Sequence, residues 1–128
     1  MTRSCFAALT LLTLAAPVYA VERAPVTDVK PLLLAAINTG EAHGVLVGAA
    51  AQYIAQTFKS TAPIEIDVTT VRELSEPGCK RLAVTTSQDG VVDFNREQRD
   101  RQPGRKAFTY QFNYCRDGRL PQPAEASP

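Results

Sequence analysis

The chain has 128 residues, and its 14 lysines and arginines against 13 aspartates and glutamates leave a formal net charge of +1. Such a near-neutral chain lacks the positive charge that draws proteins nonspecifically to nucleic acid, so we expect no nucleic-acid partner. The length suffices for one compact domain and is too short for two.

Residues 1–20 have the features of a signal peptide. Arg3 supplies the positive charge, Phe6 to Ala16 form an apolar run that is short for a membrane span, and a small-residue cleavage site follows. A retained N-terminal anchor is the alternative. We predict cleavage before Val21 and therefore a periplasmic or secreted protein. No later apolar stretch is long enough to span a membrane.

The mature chain is predicted to form one domain over residues 21–120, followed by a flexible tail at 121–128. The residue pattern of its first half predicts two helices. The first begins near Thr27 or Asp28, whose side chains can cap helix N–H groups, and stops at Gly40. After a junction at residues 41–44, apolar residues at helical spacing from Leu46 to Phe58 predict the second helix.

From Ile64 onward, apolar and polar residues alternate, which predicts strands. The first strand is expected to bulge near Thr70 or to end before Arg72. The second covers about residues 80–87 and the third about residues 106–115. We therefore predict an α+β fold in which two N-terminal helices pack on a three-stranded antiparallel sheet.

One face of the third predicted strand is a row of four aromatic residues, Phe108, Tyr110, Phe112 and Tyr114. Each ring can bury on the order of 150–250 Å². We expect the row to form much of the core beneath the helices, with a role as a binding face as the alternative.

Cys79 and Cys115 are the two cysteines that remain after signal cleavage, and an even number favours one disulfide in an oxidising compartment. If they lie opposite each other on antiparallel strands, apolar side chains meet aromatic ones on a single face. The pairs are then Leu82 with Phe112, Val84 with Tyr110, and Thr86 with Phe108.

The connection between the second and third predicted strands, residues 88–105, is long for a hairpin. We call the five cations in and beside it the basic loop residues; they are Arg96, Arg99, Arg101, Arg105 and Lys106. We expect them to bind a partner protein of the cell envelope or another anionic surface. A solvated loop with no partner is the alternative.

No catalytic motif is present. His43 with Glu41 is the one candidate acid–base pair, and a surface or capping role for His43 is favoured. Glu65 and Asp67 share a strand face, where a solvated surface is favoured over a cation site. Two cysteines and a single histidine fall short of a closed zinc site. We therefore predict a non-enzymatic protein with no metal and no cofactor.

Several stretches carry a resemblance to known proteins. They are AAINTGEAHG at 35–44, IDV at 66–68, PGCKRL at 77–82 and NYCRDG at 113–118. The chain resembles small exported proteins encoded with bacterial conjugative-transfer or type IV secretion elements. The resemblance implies a periplasmic accessory role beside a transfer apparatus, through contact with an envelope protein. The alternative function is a secreted hydrolase inhibitor whose basic loop plugs an acidic cleft.

Overall fold

The computed structural model describes residues 12, 14–16 and 21–121. Most of the predicted signal peptide and the predicted tail after Pro121 lie outside these residues. Among the described residues, no helix has the length and apolar character to cross a membrane. The elements in chain order are β1 (Ala24–Val26), α1 (Lys30–Thr39), β2 (Glu41–Leu46), α2 (Ala49–Phe58), β3 (Ile64–Glu73), β4 (Cys79–Val91) and β5 (Gly104–Cys115).

The strands form one five-stranded sheet in the order β1-β2-β3-β4-β5. β1 is parallel to β2, and the other neighbouring strands are antiparallel. The prediction of a three-stranded antiparallel sheet behind two N-terminal helices is therefore wrong. The sheet is mixed, and its first two strands alternate with the helices along the chain.

β2 escapes prediction because two of its three core-facing residues are small. Ala42 and Gly44 face the core, so the strand lacks the alternation of large apolar residues that identifies β3. The absence of a side chain at Gly44 makes room for α1, since a Cβ there would lie 2.7 Å from Leu32 Cδ1. β1 is only three residues long and contains Pro25, which is tolerated at a sheet edge.

The predicted boundaries of the first helix agree with α1. The Asp28 carboxylate accepts a hydrogen bond of 2.7 Å from the Lys30 N–H. Gly40 ends the helix in the left-handed conformation with φ 95°, which glycine adopts at no steric cost. Four side chains of α1 are buried, namely Leu32, Leu33, Ala36 and Ile37.

The second helix differs from its prediction in start and in packing. α2 begins at Ala49 because Leu46 is the last residue of β2. No residue of α2 is buried, whereas the α1 side chains pack against the apolar centre of the sheet. The expectation that both helices pack firmly on the sheet is therefore wrong for α2.

The aromatic row of β5 is only partly core. Tyr114 is buried and Phe112 packs against the core, but Phe108 is 65% exposed and Tyr110 is 38% exposed. The prediction that this row forms much of the core is therefore wrong for the two residues nearest the start of β5. α1 packs with the Tyr114 end of the row, and α2 does not close over the other end.

The hairpin of β4 and β5 confirms the predicted register. Cys79 is paired and disulfide-bonded with Cys115. The pairs Leu82 with Phe112, Val84 with Tyr110 and Thr86 with Phe108 are all present. A bulge between Thr70 and Arg72 of β3 is also confirmed, although the strand continues beyond it to Glu73.

β4 continues past its predicted end to Val91, which shortens the connection to residues 92–103. The extension is tied to the segment that follows α2. The buried Gln88 side chain donates hydrogen bonds to the carbonyls of Ser60, at 3.3 Å, and Ala62, at 2.9 Å. The Ser60 hydroxyl donates to the Asp89 carbonyl at 2.6 Å. These bonds hold the far end of the hairpin beside α2.

Candidate functional site

An open groove of about 650 Å³ lies between α2 and the adjoining ends of β4 and β5. We call it the α2 groove. It exists because α2 is tied to the hairpin near its C-terminus without burying its own side chains in the sheet. Its apolar lining includes Ile54, Phe58, Ile64, Val91, Phe94 and Phe108.

Three phenylalanines line the α2 groove from three separate segments. Phe58 ends α2, Phe94 lies in the connection after β4, and Phe108 belongs to β5. Their exposed fractions are 42%, 47% and 65%. Burying exposed aromatic surface is favourable, so three such rings around one concavity form a candidate contact site.

The rim of the α2 groove carries charged side chains. Asp93 accepts from Lys106 at 3.4 Å and pairs with Arg96 at 3.6 Å. The hydrogen bond from the Asn95 N–H, followed by the contacts with Lys106 and Arg96, holds the pKa of Asp93 below its usual value. Two cations therefore share one carboxylate, which leaves this part of the rim with one net positive charge.

The basic loop residues are spread over different surfaces. Lys106 and Arg96 lie beside Asp93 at the groove, while Arg99 pairs with Glu97 at 3.0 Å and is 80% exposed. Arg101 donates to the carbonyls of Arg96 and Phe94. Its guanidinium also lies 5.5 Å from the centre of the Phe94 ring, so Arg101 helps to position that ring.

Arg105, the remaining basic loop residue, lies on the opposite face of the sheet from the α2 groove. It donates to Glu65 at 3.0 Å, to Asp89 at 3.1 Å and to the Ser87 hydroxyl at 3.0 Å. The hydrogen bonds from Arg105 to Glu65 and Asp89 raise the pKa of Arg105. Arg105 and Lys106 are neighbours in sequence but point to opposite faces, as strand geometry requires.

A network of ion pairs covers the face that contains Arg105. Arg23 contacts Asp67 at 2.8 Å and Glu65 at 3.5 Å, so its guanidinium bridges the two carboxylates. Burial acts to raise the pKa of Asp67, but hydrogen bonds and positive charge from Arg23 and His43 outweigh it and lower that pKa. Arg23 thus takes the place that a bound cation would occupy between these carboxylates.

His43 joins the same network. Its Nδ1 lies 2.6 Å from an oxygen of Asp67, and its Nε2 lies 3.7 Å from Glu41. His43 and Glu41 are therefore close, as the acid–base hypothesis requires, but they lie in β2 on the open sheet face and not in the α2 groove. These residues form a cluster of ion pairs on the surface of the sheet.

Glu76, Cys79 and Cys115 bring one carboxylate and two sulfurs within 4.8 Å of one another. Metal binding by cysteine requires free thiolates. Both sulfurs are joined in the disulfide, and Glu76 is paired with Arg119. This cluster is therefore a structural clamp in the oxidised protein.

Sequence reasoning did not identify the α2 groove. The three phenylalanines appear in the sequence as part of a helix face, part of a short apolar patch and part of a strand face. Each is ordinary in its own segment. The pairing of β4 with β5 and the hydrogen bonds that tie β4 to the segment after α2 bring them together.

Comparison of the chain with protein-family models, with curated proteins and with solved structures finds no match. The resemblance to exported proteins of conjugative-transfer loci therefore stays a prediction.

Proposed function

We propose that this chain is a non-enzymatic interaction protein that acts outside the cytoplasm and binds an apolar side chain of a partner polypeptide in the α2 groove. The disulfide Cys79–Cys115 is compatible with a periplasmic or secreted location. A partner in the cell envelope, including a component of a conjugation or type IV secretion apparatus, fits this role.

The observation that carries the proposal is the convergence of Phe58, Phe94 and Phe108 on one groove. Given their exposed fractions, a ligand that covers the three rings removes roughly 300 Å² of aromatic surface from water. At about 25 cal/mol per Å² this contributes roughly 7 kcal/mol before the cost of association. A gain of this size is enough for reversible binding, whereas a permanent complex would require further contacts.

The charges at the rim indicate what should flank the apolar anchor. Lys106 and Arg96 share the single carboxylate of Asp93, so the rim favours an acidic group. The groove is open to solvent and not enclosed, which suits a polypeptide segment. We therefore propose a partner segment with a large apolar residue next to an aspartate or glutamate.

The alternative of a hydrolase inhibitor has weaker support. An inhibitory loop of this kind needs cations that are free to enter an acidic cleft. Arg99 and Arg105 each pair with a carboxylate of the same chain, and Arg101 is bonded to backbone carbonyls. Inserting these cations into another protein would first require breaking those contacts.

The proposal is tested with the variants Phe58→Ser and Phe94→Ser as bait in affinity purification from a cell-envelope extract. We expect each to recover at least tenfold less partner than the wild type, because truncating a central aromatic anchor commonly costs more than about 1.4 kcal/mol. Binding of an apolar fluorescent dye to the purified protein should fall in parallel.

Tyr53→Ser is the matched control. Tyr53 is 71% exposed and lies on α2, but it does not line the groove. This variant should recover the partner as the wild type does. Arg99→Ala, included in the same experiment, tests the predicted basic loop contact. Undiminished recovery by the two groove variants would refute the proposed site.

A further inference from the structure

β5 lies at the end of the sheet, and within the described residues no strand pairs with its outer edge. The Arg116 N–H donates to the Gly78 carbonyl at 2.8 Å, toward β4. Backbone groups alternate in direction along a regular antiparallel strand. The N–H and C=O groups that point away from the sheet are therefore those of Ala107, Thr109, Gln111 and Asn113.

This edge lacks the features that usually prevent strand pairing. Residues 107–114 contain no charged residue and no proline, and the irregular pairing of β4 with β5 lies before them. By contrast, the opposite edge strand, β1, has three residues and includes Pro25. A long, uncharged and exposed edge is a template for pairing with another strand.

We propose that β5 pairs antiparallel with β5 of a second copy of this chain, centred on Tyr110, and joins the two sheets into one of ten strands. The four outward-facing residues are placed symmetrically about Tyr110. Thr109 then exchanges hydrogen bonds with the second copy's Gln111, and Ala107 with the second copy's Asn113. The two-fold arrangement uses the same residues of both copies.

The side chains of β5 indicate that the strand that pairs with this edge is β5 of a second copy. The register places Phe108 opposite the second copy's Phe112 and Tyr110 opposite its counterpart, and aromatic cross-strand pairs are stabilising. Phe108 and Tyr110 are the two members of the aromatic row that α1 leaves exposed. Because residues 107–113 are uncharged, no like charges lie directly opposite each other along the paired segment.

The buried area indicates a reversible dimer. Covering the exposed parts of Phe108 and Tyr110 in both copies removes roughly 400 Å² of aromatic surface from water. Stable interfaces bury about 1,200–2,000 Å² in total. Backbone and neighbouring side chains along the edge supply part of the difference, so we expect dissociation on dilution.

Two measurements test this pairing. In Tyr110→Cys, the new cysteine faces its counterpart at a non-hydrogen-bonded position, where Cα atoms lie about 4.5 Å apart, within disulfide range. Oxidation should give a covalent dimer joined at position 110, identified by peptide mass. Tyr53→Cys, which places an exposed cysteine on α2 instead of on the edge, should form no covalent dimer under the same oxidising conditions.

In the second measurement, sedimentation of the wild type should show mass rising with concentration toward that of a dimer. Gln111→Pro removes one outward N–H and no bond to β4, so it should stay monomeric. Gln111→Ala is its control, because both variants lose the 3.0 Å hydrogen bond from Arg81 Nε. It should dimerise like the wild type.

A monomeric wild type at all concentrations, or Tyr110→Cys that does not cross-link, would overturn the proposed dimer. Continued dimerisation of Gln111→Pro would exclude this edge as the interface. Phe94 lies outside β5, so Phe94→Ser should dimerise normally. Phe108 belongs to both sites, so the two proposals are distinguished by Phe94→Ser and Gln111→Pro, each of which changes only one of the sites.

Discussion

Arg23 is the residue that ties the segment before β1 to the sheet. Besides its contacts with Glu65 and Asp67, it donates to the Gly44 carbonyl at 3.3 Å. One side chain thus meets both β2 and β3. An arginine suits this position because its planar group presents several donors in fixed directions.

Asp67→Asn tests the network that surrounds Arg23. The carboxylate is less than one-third exposed and contacts both Arg23 and His43, so we expect the variant to lose about 1–2 kcal/mol of unfolding free energy near pH 6. Urea denaturation measures the change. Glu73→Gln, at a strongly exposed carboxylate, should change stability by less than about 0.5 kcal/mol.

Asp67→Asn also tests how the free energy of unfolding depends on pH. Because the pKa of Asp67 is lowered in the folded protein, its contribution is present above the unfolded value of about 3.9 and is lost as the pH falls through the folded value. The difference in stability between wild type and Asp67→Asn should therefore shrink as the pH falls below about 3.9. A gap that stays constant from pH 6 to pH 3 would contradict the assigned role.

At the scale of elements, the two helices differ in what holds them. α1 buries four side chains against the sheet, whereas α2 buries none. α2 is connected at its ends by backbone hydrogen bonds, from Val47 to the Val26 carbonyl and from Val92 to the Phe58 carbonyl. The helix beside the proposed binding groove is therefore the one with less tertiary support.

Hydrogen exchange should reveal this difference. Because a helix of ten residues draws most of its stability from packing, we expect the amides of α2 to exchange at least tenfold faster than those of α1. Exchange monitored by NMR measures both helices in one sample. Equal protection of α1 and α2 would show that contacts of partly exposed residues suffice to hold α2.

At the scale of the whole molecule, the two faces of the sheet have different roles. One face carries α1, the core and the α2 groove, and the other carries the ion-pair network of Arg23, Asp67 and Arg105. The disulfide closes the open end of the β4–β5 hairpin, and both cysteines are buried.

Replacing both cysteines, Cys79→Ala with Cys115→Ala, should lower the free energy of unfolding by about 3–4 kcal/mol, because the unfolded chain regains the entropy of the closed loop. Urea denaturation of this variant measures the loss, and reduction of the wild type should reproduce most of it. A loss below about 1 kcal/mol would show that hairpin packing alone secures the strand ends.

The sequence by itself determined β3, β4 and β5, the register of the last two strands and the disulfide. Alternation of large apolar residues is a local signal, and Cys79 opposite Cys115 is compatible with one register of the aromatic face. The beginning and end of α1 were also readable, because Asp28 and Gly40 act within one turn of the helix.

Only the tertiary structure decided the rest. β2 is held as a strand by pairing with β1 and β3, and Gly44 leaves room for Leu32 of α1 beside it. The residues of β2 carry no strand pattern of their own. The α2 groove depends on hydrogen bonds of Gln88 and Ser60 that connect β4 to the segment after α2. Phe108 is exposed because α1 does not extend over it. Such features arise from packing between segments, which local periodicity does not encode.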